Sequence, residues 1–156
     1  MEKDQDMPIT IRTMQVSDYD QVDDLWKRIH GFAIRSLDDS REYITRFLER
    51  NPRTSVVALD GSKIVGSILC GHDGRTGTFY HVCVDEAYRR HHIGRRMVTA
   101  CMRALQEEKI SSITLIAFTS NEVGNEFWND IGWTKRSDVN RYDFKLNEEN
   151  IVAFTK

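Results

Sequence analysis

Apolar residues in this chain recur with two different periods, which together predict a domain of mixed helices and strands. "ITIRTM" alternates between apolar and polar residues, as a half-buried strand does. Strand-like runs occupy 9–14, 55–59, 63–73, 78–84, 113–118 and 140–146. Helical spacing of apolar residues occupies 18–29, 41–50, 93–108 and 121–133. The chain therefore reads as strands separated by four helices.

Turn and capping residues set the order of these elements. Ser17 and Ser40 precede helical runs as N-caps, and Gly132 follows the last helical run. Asp60-Gly61 and "GRTG" at 74–77 indicate two tight hairpins. Strands joined by short hairpins pair antiparallel, so 78–118 is the one candidate for a parallel crossover through a helix. An α/β (α+β) fold with a mixed, mostly antiparallel sheet follows.

The length of 156 residues fits one domain. We expect a flexible leader at 1–8, a single domain at 9–146 and a C-terminal tail at 147–156. The formal net charge of −2 predicts no general attraction to nucleic acid, so any basic function must be local.

The three cysteines, Cys70, Cys83 and Cys101, are odd in number and lack C-x-x-C spacing. This usage is typical of small buried residues in a reducing compartment. The charged N-terminus has no signal-like apolar stretch, and the longest apolar runs, such as "ITLIAF", are too short to span a membrane. A cytoplasmic protein without a membrane partner is expected.

"YRRHHIGRRM" at 88–97 gathers arginines and histidines at the start of a helix. Cations there oppose the helix dipole and cost about 0.3–1 kcal/mol each unless an anion is bound. A bound anion would instead draw the free N–H groups and the arginines together. Charge alone leaves the two interpretations, a solvated helix end and an anion site, equally open.

The order of elements favours the anion site. "VCVDEAYRRHHIGRRMV" resembles the cofactor motif of the GNAT superfamily of acetyl-CoA-dependent N-acetyltransferases, R/Q-x-x-G-x-G/A, with Arg89, His92 and Gly94 at its three positions. "SNEVGNEFWNDIGW" is similar to the later segment of that family, with Asn121 before the helix and Trp128 in place of the usual tyrosine. The resemblance extends from Ile9 to Leu146.

The resemblance implies a six- to seven-stranded sheet flanked by about four helices, with strands 78–84 and 113–118 parallel, central and splayed apart. It also implies acetyl-CoA as co-substrate. No metal is expected, because the chain has neither C-x-x-C nor H-x-x-x-H spacing. The pantetheine arm would pair with the backbone of Val82, Cys83 and Val84. The pyrophosphate would lie among loop amides, and the cofactor-binding residues around it would be Arg89, Arg90, His91, His92, Ile93, Gly94, Arg95, Asn121 and Trp128.

His92 stands where the motif has glycine. Histidine is among the residues that tolerate a left-handed backbone, and it keeps the N–H that a phosphate cradle needs. We therefore expect His92 to serve through its backbone.

For catalysis, members of this family often use a glutamate on one of the splayed strands, and neither strand here carries one. The titratable residues on the first strand are His81 and Tyr80. Histidine suits a general base, although a packed sheet histidine is an equally good interpretation. We name His81 and Tyr80 as the catalytic candidates. Asp73, in the turn before this strand, is expected to border the pocket for an amine-bearing acceptor.

Other functions stay open at this point. The hairpin would place Cys70 opposite His81 and near Cys83, but the spacing of these residues does not favour a metal site. A CoA-binding module without catalysis, or an anion- or nucleic-acid-binding domain that uses the arginines, is the alternative to direct acetyl transfer to a primary amine of a small molecule or peptide. A homodimer is also open.

Overall fold

A computed structural model describes residues 8–155, so the leader expected at 1–8 lies almost wholly outside the described residues. The regular elements are β1 Ile9–Thr13, α1 Tyr19–Arg28, β2 Ala33–Arg35, α2 Arg41–Arg50, β3 Val56–Asp60, β4 Lys63–His72, β5 Gly77–Val84, α3 Ile93–Glu107, β6 Ile113–Leu115, α4 Glu122–Asp130 and β7 Val152–Phe154. Within this range no helix is long and apolar enough to cross a membrane.

Five strands form the main sheet in the order β1-β3-β4-β5-β6. Neighbours pair antiparallel except β5 and β6, which are parallel and are connected through α3. Strands β2 and β7 form a separate antiparallel pair. The predicted fold class, a mixed and mostly antiparallel sheet with four helices and one parallel pair, is confirmed. The strands are divided between two sheets.

Two helix starts show how local sequence sets the elements. Ser40 caps α2 by accepting a hydrogen bond from the Tyr43 N–H, as the sequence predicts. Ser17 instead lies within a 3-10 turn that precedes α1. There the carboxylate of Asp18 accepts from the Gln15 N–H at 2.8 Å and from the Arg12 guanidinium. The carboxylate therefore stabilises the turn before α1, and the predicted serine cap is wrong, because the N-cap of α1 is Asp18 and makes no side-chain hydrogen bond to the helix.

The main sheet separates two hydrophobic cores. On one face, α1 and α2 pack with Trp26, Ile44 and Leu48 against alternate residues of β3 and β4, together with Cys83 of β5. On the other face, α3 packs with buried residues such as Met97 and Leu105, and α4 packs with its aromatic residues. Alternation of side chains along the strands supplies both faces. We call these the α1/α2 face and the α3/α4 face.

The C-terminal region differs from the sequence prediction. Residues 140–146, predicted as a closing strand, form neither helix nor strand in the described chain, and their apolar residues Tyr142, Phe144 and Leu146 are almost fully exposed. An alternating apolar–polar pattern makes a segment suitable for a sheet. A strand forms only where a neighbouring strand is also available to pair with it. Val152–Phe154, in the segment expected to be a tail, pairs with β2 instead. Both strands have three residues, too few to show a period in sequence.

An ion pair with one buried partner, the carboxylate of Asp85, holds the end of β5. Asp85 is 7% exposed and accepts from Arg28 of α1 at 2.6 Å and from the Ala87 N–H at 3.0 Å. Burial alone would raise the pKa of Asp85, but these hydrogen bonds and the nearby positive charge outweigh it and lower the pKa below its ordinary value. The carboxylate therefore stabilises the turn that leads from β5 towards α3.

We expect Asp85→Asn to lower the free energy of unfolding by about 1–2 kcal/mol, because a buried, charge-assisted hydrogen bond is lost while Arg28 stays partly solvated. Asp24→Asn is the matched control, since Asp24 is an exposed, more distant partner of the same arginine, at 3.7 Å. Denaturant unfolding of both variants measures the difference.

The pH dependence has a defined sign. A carboxyl whose pKa is lowered by folding stabilises the protein above its unfolded pKa, and this contribution is lost as pH falls through the folded value. The stability gap between wild type and Asp85→Asn should therefore be constant from pH 8 to about 5 and shrink below about pH 4. A gap that widens in acid would contradict the assignment.

Candidate active site

The main sheet opens between its two parallel strands. β5 pairs with β6 only through Gly77–Ile113, Thr78–Thr114 and Phe79–Leu115. β5 then continues to Val84, while β6 ends at Leu115. None of the described residues pairs with the later half of β5 on the β6 side. The predicted splay is therefore present, and Val82, Cys83 and Val84 lie along it.

A β-bulge in β5 lies just after its last pair with β6, between Tyr80 and Cys83. Tyr80 is opposite Leu69 and Cys83 is opposite Ser67, so Ile68 faces both His81 and Val82. His81 has a positive φ of 50°, which is uncommon for a residue with a side chain. The Tyr80 ring meets Phe47 of α2 edge-on at 6.0 Å, and the His81 ring lies against Trp26 of α1. The bulge thus turns two successive side chains to the α1/α2 face.

The loop between β5 and α3 has the backbone shape of an anion site. Arg90 and His92 both have left-handed conformations, with φ of 70° and 61°. His92 is the N-cap of α3, and among the described residues no side chain caps α3 or α1, whereas Ser40 and Asn121 cap α2 and α4. The first N–H groups of a helix have no partner inside it. They are thus available to a bound anion.

The basic residues around this loop differ in their contacts. Arg89 donates from Nε to the Val84 carbonyl at 3.3 Å, while Arg90 and Arg95 are exposed. His91 is half-buried and His92 exposed. Arg96 is used elsewhere, since its Nη2 donates to the Ile9 carbonyl at 2.9 Å.

Ile93 and Gly94 show how closely the start of α3 is packed. The Ile93 side chain is buried in the core, so its backbone is the part that faces the loop. A Cβ at Gly94 would lie 3.4 Å from Phe127 Cζ and 3.8 Å from Val84 Cγ2, which are ordinary contacts. Helix α4 therefore lies beside the first backbone N–H groups of α3. A side chain larger than a methyl group at position 94 would clash with Phe127.

Trp128 and Asn121 have structural contacts on α4. The Trp128 ring centre lies 6.3 Å from that of Phe79, 4.9 Å from that of Phe127 and 4.7 Å from that of Trp133. The Asn121 Oδ1 atom accepts from the Gly124 N–H at 3.0 Å and caps the helix. Trp128 thus packs against β5 and the core that α3 helps to form, whereas the contacts of Asn121 are local to the start of α4.

His81 has a partner that sequence reasoning missed. Its Nε2 lies 2.6 Å from Oδ1 of Asp39, whose side chain is 5% exposed. In the sequence, Asp38-Asp39 looks like a solvated acidic pair before α2, and nothing local points to a residue 42 positions away. The loop before α2 therefore places a buried carboxylate beside His81 of β5.

The cysteines and Asp73 do not take the places predicted for them. Cys70 pairs with Phe79, not with His81, because the hairpin turn places His72 opposite Gly77. The bulge beyond this pair then turns Cys83 to the other core from Cys70. Among the described residues no group of three or more His, Cys, Asp or Glu side chains could hold a metal. Asp73 Oδ1 accepts the Arg75 and Thr76 N–H groups of its own turn. That turn is at the closed end of β5, away from the opening.

Similar proteins share this architecture. An acetyltransferase of Yersinia enterocolitica, YE1169, is 33% identical over 101 residues, which cover 65% of this chain and 67% of the relative. The PaiA N-acetyltransferase of Thermoplasma acidophilum, solved in complex with coenzyme A, superposes with a TM-score of 0.72 at 14% identity, over 94% of this chain and 97% of that one.

A third similar structure is the aminoglycoside N-acetyltransferase AAC(6')-Iy in complex with a bisubstrate analogue, CoA-S-monomethyl-acetylneamine. Its TM-score is 0.66 at 13% identity, over 88% of this chain and 98% of that one. At these identities the superpositions show a shared fold. The family model described as Acetyltransferase (GNAT) family matches residues 19–133. With the splayed parallel pair and the uncapped helix that follows it, this match shows that the chain belongs to the GNAT acetyltransferase family.

Proposed function

We propose that this protein transfers the acetyl group of acetyl-CoA directly to a primary amine of a small molecule or a peptide. The observation that carries the proposal is the opening after Phe79 and Leu115, from which β5 leads through two left-handed residues into an uncapped helix. Similar structures hold CoA or a CoA-linked aminoglycoside. When bound, acetyl-CoA supplies the activated acyl group, and the chain binds and orients it.

The residues at the opening fit a CoA-like ligand. Its pyrophosphate is a compact dianion, which suits the amides of 93–95 and the exposed side chains of Arg90 and Arg95. Its pantetheine arm carries amides that can pair with the backbone of Val82 and Val84, as a strand would. A site for elongated, amide-containing anions follows from these two parts.

Direct transfer fits the state of the cysteines. Burial raises the pKa of the Cys83 thiol to about 11. The hydrogen bond between Cys101 and Cys70, followed by burial, raises the pKa of Cys101. A thiol is nucleophilic as its thiolate. The chain therefore offers no activated thiol at β5 to carry the acetyl group, and the acceptor amine attacks the thioester itself.

The attacking amine must be neutral. A lysine-like amine costs about 4–5 kcal/mol to deprotonate at pH 7, and an α-amine costs about 1 kcal/mol. In the proposed reaction His81 accepts the proton, the C–N bond forms as the C–S bond breaks, and the nitrogen's second proton ends on the CoA sulfur. Tyr80, half-exposed on the same face, is the second group able to pass a proton.

The direct test is acetyl transfer to a panel of amines, with release of CoA thiol and acetylated product both measured. We expect transfer to at least one amine class. Acetyl-CoA at a hundredfold over its dissociation constant should also add about 2.7 kcal/mol of stability. If acetyl-CoA stabilises the protein but no amine is acetylated, the protein is a CoA-binding module without catalysis. Stabilisation by an oligonucleotide, but not by CoA, would replace the proposal with nucleic-acid binding.

A second prediction concerns His92. His92→Gly should bind acetyl-CoA within about threefold of wild type, because glycine adopts the left-handed conformation freely and keeps the N–H. His92→Val should weaken binding about tenfold or more, because a β-branched residue resists a positive φ. Isothermal titration calorimetry measures both dissociation constants.

Lys109 provides the matched control, since it has the same left-handed backbone, with φ of 67°, beyond the other end of α3. Lys109→Val should lower the melting temperature and leave the affinity for acetyl-CoA unchanged. If His92→Gly binds as weakly as His92→Val, the imidazole ring itself contacts the ligand and the backbone role is wrong.

A third prediction concerns the base. His81→Gln should lower kcat about 10²–10⁴-fold for a lysine-like amine and less for an α-amine, because the second needs less help in losing its proton. Tyr80→Phe should cost less, since water reaches the exposed hydroxyl position. His72→Gln, at the closed end of β5, is the control and should keep kcat. Equal losses for both classes of amine would argue against proton transfer at His81.

A further inference from the structure

The environment of Asp39 assigns this residue a part in the site that its sequence position does not suggest. Its carboxylate is buried, with Oδ1 at 2.6 Å from His81 Nε2 and Oδ2 accepting the Arg35 N–H at 2.7 Å. Its own carbonyl accepts the Tyr19 hydroxyl at 2.7 Å. Buried carboxylates need such partners. The one titratable side chain that hydrogen-bonds this carboxylate, among the described residues, is His81.

His81 is held just as closely. Its ring centre lies 4.7 Å from that of Trp26 and 4.8 Å from that of Phe32. The positive φ of His81 is a strained backbone conformation, and the packing and hydrogen bonds around the residue must offset its free-energy cost. Strained residues of this kind gather at functional sites. In this strained conformation the His81 imidazole points at the Asp39 carboxylate.

The same chain contains a second histidine–carboxylate pair for comparison. His72 Nε2 lies 2.7 Å from Glu108 Oε1, and its Nδ1 accepts the Gly74 N–H at 2.9 Å. Both ring nitrogens of His72 are therefore engaged, and the pair joins β4 to the end of α3. For His81, the hydrogen bond found within the described residues uses Nε2 only. The His72 pair therefore acts as a clamp, whereas His81 Nδ1 makes no hydrogen bond within the described residues.

We propose that Asp39 is a positioning residue that keeps the proton of neutral His81 on Nε2, so that Nδ1 is the basic atom. This inference rests on the proposed function. In the reaction the amine proton moves to Nδ1, the ring becomes an imidazolium, and the Asp39 carboxylate balances its charge; the proton then passes to water. The carboxylate thereby sets both the tautomer and the stability of the protonated ring.

The other polar groups around the pair do not take this role. Burial, followed by nearby carboxylates, raises the pKa of Tyr19 to about 12, so its hydroxyl stays a donor to the Asp39 backbone. The Arg41 guanidinium stacks on the Tyr19 ring at 4.9 Å, and Arg35 contributes its backbone N–H. Tyr80, from β5, is the neighbouring titratable side chain on the same face.

The test compares Asp39→Asn with two controls. Asp39→Asn should lower kcat about tenfold to a hundredfold with little change in the KM for acetyl-CoA, and it should shift the pH dependence of kcat, because an amide holds neither the tautomer nor the imidazolium. Glu108→Gln makes the same change in the clamp and should lower the melting temperature without altering the pH profile. Tyr19→Phe removes a contact to the same loop and should keep the profile.

The tautomer is measured separately, by ¹⁵N NMR of the histidine rings in the free wild-type protein. We expect a protonated Nε2 in neutral His81, and Asp39→Asn should abolish that preference. The wild-type spectrum alone needs neither an acceptor nor a variant, so it tests the tautomer even if Asp39→Asn folds poorly. A proton on Nδ1 in wild type, or an unchanged pH profile in folded Asp39→Asn, overturns the inference while acetyl transfer stands. Wild type that acetylates no amine removes the proposed function, and the catalytic role of Asp39 with it.

Discussion

The end of hydrogen bonding between β5 and β6 is the constraint on which the candidate site depends. Parallel strands share their backbone groups, and a pair that separates leaves N–H and C=O groups that need other partners. Here the separation comes after Phe79 and Leu115, and the later half of β5 continues with β4 on one side only. The backbone groups proposed to bind acetyl-CoA lie at this opening. The loop that carries Arg90 and His92 follows directly after it.

The β-bulge in β5 lies next to this opening and changes the direction of two side chains. Without an extra residue, Tyr80 and His81 would point to opposite faces. With Ile68 facing two residues, both side chains reach the α1/α2 face, while Val82 and Val84 keep their contacts with the α3/α4 face. The strand thereby places the side chains proposed to transfer protons on one face and the backbone proposed to bind acetyl-CoA towards the other.

The sequence predicts the parts of this arrangement that depend on local chemistry. Ser40 as a cap and His92 in a left-handed conformation follow from what those residues tolerate. The contact between Asp39 and His81, the register of Cys70 and the pairing of β2 with β7 depend on distant segments, which no local pattern records. The strand predicted at 140–146 was wrong for the same reason, since alternation cannot show where a pairing partner is.

The division of the molecule into two hydrophobic cores has an evolutionary consequence. Asp39 and the loop before α2 belong to a layer braced by β7, and the amides of α3 belong to the opposite layer. Substitutions on separate layers that share no contacts combine nearly independently. In the proposed reaction, substitutions in β2, β7 and the loop before α2 can therefore change the acceptor with little effect on binding of acetyl-CoA at α3. A scaffold with that partition can gain new acceptors by gradual change.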